Sequence, residues 1–207
     1  MSLNLDKIIN SIENADKEGI LFGSEVLSGY SGEKIIGVLQ RFLSLLPDNG
    51  DACYLEVGVY QGLTLLSTAL ANPEIRCYGI DNFAFFDPNG QNYSLVKERI
   101  GKLNLNNVEI INKDYELAFN DLKEEIGSRT IGIYFIDGPH DYRSQIMCLQ
   151  MALPYLSEDS IIIVDDCNYE HVKQANADFL KTNQNFNFLQ ILNYFLSHVL
   201  FHYEQSY

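Results

Sequence analysis

A run of nine residues, Glu56-Val57-Gly58-Val59-Tyr60-Gln61-Gly62-Leu63-Thr64, sets two glycines apart with three residues between them where an apolar run gives way to a helical pattern. Glycines at such a handover let backbone N–H groups come close to a ligand, although they serve the turn itself equally well. About twenty residues on, Asp81 stands where α/β nucleotide sites set an acid against ribose hydroxyls. Asp114, Asp137 and the pair Asp165-Asp166 follow the next three apolar runs. One loop acid is ordinarily just solvated; a carboxylate at every run's end reads as a binding crevice. His140 lies three residues after Asp137, and an imidazole, with a pKa near ~6.5, can remove a hydroxyl proton at neutral pH. His171, His198 and His202 have no such neighbours and read as ordinary polar residues.

These groups need a frame that brings them to one edge. Short apolar runs at 54–57, 77–80, 108–111, 131–136 and 161–164 have strand length, and their unbroken apolarity suits strands buried on both faces. Helical patterns over 62–71, 92–103, 115–126, 141–156 and 169–181 supply right-handed crossovers. The reading is a Rossmann-like, doubly wound α/β sheet whose ligand crevice opens at the carboxyl ends of its strands. Ahead of it, residues 4–18 and 33–46 space their apolar side chains by threes and fours, predicting two helices that end at the turn Pro47 to Gly50. Residues 1–50 are thus expected to form a helical cap on a core of 51–207. The insertion 81–93 carries Phe83, Phe85, Phe86 and Tyr93, either a lid or ordinary loop packing. Near the C-terminus, Phe188, Ile191, Leu192, Phe195, Val199 and Leu200 fit a helical stripe, while 186–192 also fits a strand; periodicity leans towards helix.

Composition excludes several classes. With 207 residues and 46% hydrophobic content the chain can bury one core. A net charge of −14, from 28 acidic against 14 basic residues, removes the usual electrostatic source of nucleic-acid binding. Charges from Asp6 to Glu18 break any signal-peptide core, and no stretch approaches the ~20 apolar residues of a membrane span, so a cytoplasmic location is expected. Cys53, Cys77, Cys148 and Cys167 form no Cys-x-x-Cys pair and read as reduced thiols; Cys167, after two aspartates, is either reactive or a buried filler.

Together, E-V-G-x-x-x-G, the acid after the second strand, F-I-D-G-P-H-D-Y and I-I-I-V-D-D resemble a class I S-adenosylmethionine-dependent methyltransferase. The resemblance is to the O-methyltransferases of the catechol and caffeoyl-CoA kind and to bacterial relatives acting on sugars and natural products, and it spans about residues 28–168. It implies seven strands, mostly parallel, with a reversed C-terminal hairpin, against the local periodicity. It also implies that Glu56, Gly58, Tyr60, Gly62 and Thr64 surround the methionine end of the cofactor, Asp81 holds the ribose, and Asp114 with Tyr115 flanks the adenine. Asp137, Asp165 and Asp166 would bind Mg2+, and His140 would stand where catechol-type relatives carry a lysine base, which leaves the base itself open. Tyr60 replaces the middle glycine of dinucleotide fingerprints and so disfavours a pyrophosphate ligand. The expected activity is methyl transfer to a hydroxyl of a small molecule, a sugar or catechol-like diol, with a homodimer as a family-level expectation. A non-catalytic cofactor-binding protein and an NAD-linked enzyme are the alternatives.

Overall fold

The computed structural model describes residues 4–47, 51–193 and 197–204. Two helices come first, α1 (Leu5–Glu18) and α2 (Glu33–Leu43). The core then runs β1 (Ala52–Val57), α3 (Leu63–Ala71), β2 (Cys77–Ile80), α4 (Asn92–Lys102), β3 (Val108–Ile111), α5 (Tyr115–Asn120) and α6 (Leu122–Ile126). It continues with β4 (Thr130–Ile136), α7 (Tyr142–Ala152), β5 (Leu156–Val164), α8 (Glu170–Thr182), β6 (Phe186–Asn193) and β7 (Ser197–Glu204). The seven strands form one sheet in the order β3-β2-β1-β4-β5-β7-β6, parallel except for β7, which runs antiparallel to both its neighbours.

Both faces of the sheet are covered, which is why its strands read as unbroken apolar runs. Tyr54, Phe135 and Ile163 pack with α1 to α4 on one face; Leu55, Tyr134 and Ile162 pack with α5 to α8 on the other. Backbone register aligns the strand ends: Val57 pairs with Ile80 and Ile136, Ile80 with Ile111, and Ile136 with Val164. The residues that follow therefore leave the sheet along one line. The N–H of Asp137 donates to the Val57 carbonyl and that of Asp165 to the Ile136 carbonyl, both at 2.9 Å.

The reversed C-terminal hairpin that the resemblance implies is present, and three local readings of periodicity are corrected. The C-terminal segment is a β-hairpin, not the helix its periodicity favours, because β7 is inserted between β5 and β6 and is covered on both faces: Leu200 and Phe201, adjacent in sequence, are both fully buried. The helix expected over 115–126 is interrupted at Asp121, which leaves helical geometry at φ −106°, ψ 6°. The helix expected over 141–156 stops at Ala152, where Pro154 lies in a short 3-10 turn, and β5 begins earlier than the apolar run suggests. The turn expected after Pro47 falls on 48–50, outside the described residues. All four cysteines are buried, and burial pushes the Cys53 thiol up to about 12. Among the described residues no helix is long and apolar enough to cross a membrane.

Candidate active site

The turn after β1 is built from left-handed residues: Gly58 at φ 95°, Tyr60 at 51° and Gly62 at 82°. For Tyr60 this conformation is strained, and two hydrogen bonds hold it. Asp81 Oδ2 accepts from the N–H groups of Val59 (2.9 Å) and Tyr60 (2.8 Å), while Oδ1 accepts from Phe83 N–H (2.7 Å). The carboxylate just past β2 thus staples the glycine turn, with one lone pair, on Oδ1, left over for a ligand hydroxyl. Glu56 is fully buried and faces inward: Tyr54 Oη donates to it at 2.6 Å and Thr64 Oγ1 at 2.7 Å. Burial pushes its carboxyl up to about 8, against the pull of those two hydrogen bonds. Asp114 caps α5 by accepting from Glu116 N–H, and Tyr115 is buried with its hydroxyl 3.3 Å from Ser144 Oγ.

Beside this turn the ends of β4 and β5 converge. Asp137, His140 and Asp166 each offer one ligand atom, and these atoms all lie within 4.8 Å of one another. His140 Nε2 is 2.7 Å from Asp166 Oδ2, and the imidazole stacks on Tyr169 with ring planes 5° apart and centroids 5.6 Å apart. Asp166 adopts φ 52°, a left-handed conformation that aspartate tolerates better than most residues. Its other oxygen, Oδ1, is buried without a hydrogen-bond partner among the described residues. Asp165 turns one oxygen to the Asp166 N–H at 2.6 Å, so His140 joins Asp137 and Asp166 in the tight cluster while Asp165 borders it. Burial, and after it the charges of Asp165, Glu56, Asp166 and Asp81, push the Asp137 carboxyl well above the usual range. A buried carboxylate oxygen with no donor, next to a second carboxylate crowded by acids, is the environment a divalent cation would relieve. The two carboxylates are the hard oxygen donors that Mg2+ or Mn2+ takes, and the imidazole, a nitrogen donor, is left for proton transfer.

The aromatic insertion divides. Phe83 and Tyr93 pack on each other and on the core, at 5.3 Å between centroids, whereas Phe86 is exposed and turns its ring to Tyr60. Tyr60 in turn stacks on Tyr30, at 5.3 Å and 21°. Sequence reasoning missed Tyr30 and Tyr169. Tyr169 could have been found, being three residues past the Asp165-Asp166 pair; Tyr30, in the stretch between α1 and α2, sits at no strand end. His171 is exposed, His202 pairs with Asp159, and the side chain of His198 lies outside the described residues.

A family described as methyltransferase domain matches residues 55–167, from within β1 to just past the Asp165-Asp166 pair, and the chain belongs to that family. No curated protein sequence matches it. Among solved structures, the chain is similar to TomG, an O-methyltransferase of Streptomyces achromogenes in tomaymycin synthesis, solved with SAM: TM-score 0.71, 12% identity, 100% of each chain covered. An O-methyltransferase from Bacillus cereus in complex with SAH gives TM-score 0.67 and 13% identity, over 97% of this chain and 90% of that one. A calicheamicin methyltransferase gives 0.62 and 17%, over 80% and 76%. At these identities the likeness speaks for the fold: the Rossmann-like methyltransferase sheet with its antiparallel terminal hairpin.

Proposed function

We propose that the chain is an S-adenosylmethionine-dependent O-methyltransferase that acts on a hydroxyl of a small molecule, a sugar or catechol-like diol, with a divalent cation at Asp137 and Asp166. The observation that carries this reading is the meeting of Asp137, His140 and Asp166 beside the glycine turn, an acid-base group next to a place for a nucleoside cofactor.

When bound, S-adenosylmethionine supplies an electrophilic methyl group on a sulfonium sulfur. A divalent cation supplies positive charge that lowers the pKa of a coordinated hydroxyl. The protein's part is alignment and proton handling. Asp81, with the N–H groups it restrains, fixes the glycine turn. Asp166 holds His140 Nε2 through Oδ2, and its Oδ1 is the oxygen that would hold the cation. With the proton of His140 on Nε2 and donated to Asp166, Nδ1 keeps the lone pair that takes the acceptor's proton. Tyr169, stacked on the ring, limits its rotation.

The test is calorimetry with S-adenosylhomocysteine, with and without Mg2+, followed by mass spectrometry of a panel of sugars and catechols incubated with S-adenosylmethionine. Binding of S-adenosylhomocysteine and a 14-dalton gain on a diol are expected, 14 being roughly the mass of the CH2 added when a methyl replaces a hydroxyl proton. A folded protein that binds NAD and not S-adenosylhomocysteine would overturn the reading.

A further inference from the structure

A guanidinium ties the glycine turn to a segment that no strand end accounts for. Arg99, in the last turn of α4, is only 6% exposed. Its Nη1 donates to the Gln61 carbonyl at 2.6 Å and to the Ser28 carbonyl at 3.1 Å, and its Nη2 donates to Ser28 Oγ at 2.8 Å. All three acceptors are neutral, and its Nε is buried with no hydrogen-bond partner among the described residues. Burying a cation against neutral acceptors is costly, yet each charged hydrogen bond to a carbonyl is stronger than a neutral one and fixes direction as well as distance.

Ser28 belongs to the strap that joins α1 to α2, residues 19–32. The strap's first half is pinned to α2. Arg41 Nη1 donates to the Gly19 carbonyl at 2.6 Å; Gln40 accepts from Leu21 N–H at 2.6 Å and donates to the Phe22 carbonyl at 2.7 Å. The second half reaches across to the glycine turn. A β-carbon on Gly29 would stand 2.8 Å from Leu63 Cβ, so the strap lies directly against the first residue of α3. Two residues past Ser28, Tyr30 stacks on Tyr60. Gln61, the other residue Arg99 holds, sits between Tyr60 and the Gly62 cap of α3, whose first N–H groups favour an anionic ligand group.

We infer that Arg99 is a positioning residue for the cofactor: by holding Gln61 and Ser28 at once it locks the turn and the strap into one arrangement before the methionine end of S-adenosylmethionine arrives. This rests on the reading of that turn as the cofactor site. Preorganisation of this kind lowers the ordering cost of binding, so its loss appears in cofactor affinity.

The experiment measures the affinity of S-adenosylhomocysteine by calorimetry for the wild type, Arg99→Met, Arg99→Lys and Ser28→Ala, each checked for folding by circular dichroism. Arg99→Met is expected to weaken binding by about tenfold or more, Arg99→Lys to recover part of that loss, and Ser28→Ala to weaken it by about threefold. If Arg99→Met does not fold, Arg99→Lys and Ser28→Ala carry the test. A residue that merely braces the fold would lower the melting temperature and leave the affinity of the folded variants alone. Variants that bind within about twofold of wild type, or Lys and Met variants that bind alike, overturn the inference. A wild type that binds no S-adenosylhomocysteine overturns it together with the cofactor reading, a failure visible before any variant is made.

Discussion

The backbone of Asp137 passes so close to Gly58 that a β-carbon on Gly58 would stand 1.9 Å from the Asp137 carbonyl oxygen. No side chain fits there, and the left-handed φ of 95° adds a second objection to any residue but glycine. The glycine turn and the acid of the candidate site are therefore spaced by bare backbone contact, before any ligand is considered.

Gly58→Ala should accordingly destabilise the protein by more than about 2 kcal/mol, with the conformational penalty added to the overlap. Urea unfolding without ligand checks this. A variant as stable as wild type would mean that β1 and β4 can part without cost.

His140→Ala should lower kcat by about 10²- to 10⁴-fold while S-adenosylhomocysteine affinity stays put, the signature of lost proton transfer. Tyr169→Leu, which removes only the stacked ring, should cost less in the same parameter. Loss of no more than about threefold in His140→Ala would leave the proton to water and give His140 a structural role.

Asp166→Asn keeps the side chain's shape and its tolerance of the left-handed backbone but removes the charge. The Mg2+ or Mn2+ concentration for half-maximal activity should rise about tenfold or more, and the cation should no longer raise the melting temperature. Wild-type turnover that persists after exhaustive chelation would rule out a required metal.

Glu56 makes a pH prediction. Its carboxyl is raised to about 8 in the folded protein from 4.5, so between those values the folded state holds a proton that the unfolded state has lost. Stability therefore falls as pH rises through that window, by at most about 1.4 kcal/mol per pH unit from this one group. Glu56→Gln should flatten the fall in ligand-free protein. Asp137, raised in the same direction, keeps its own contribution. Stability curves of equal slope for the two proteins would place the Glu56 titration elsewhere.

Much of the site was legible because the sheet is regular. Parallel strands ending in register carry whatever follows them to one edge, so the placement of Asp81, Asp137 and Asp165 along that edge could be read from position alone. Two kinds of information were not local. Leu200 and Phe201 face opposite cores, a pattern without the alternation that marks a strand, and only the pairing of β7 with β5 explains it. Ser28 meets Arg99 across 71 residues and Tyr30 meets Tyr60, through a strap with no periodicity to announce its path. The carboxylates also took duties that residue type does not reveal: Asp81 restrains backbone, and Glu56 faces Tyr54 and Thr64.

The place of β7 in the sheet governs how the molecule can be made. β5 pairs on one side with β4 and on the other with β7, the last of the described strands to leave the ribosome. Until Ser197–Glu204 emerges, the backbone of Ile161–Val164 is an open, apolar edge beside the residues of the candidate site. During synthesis that unpaired edge is a template for the wrong strand until the hairpin closes on it.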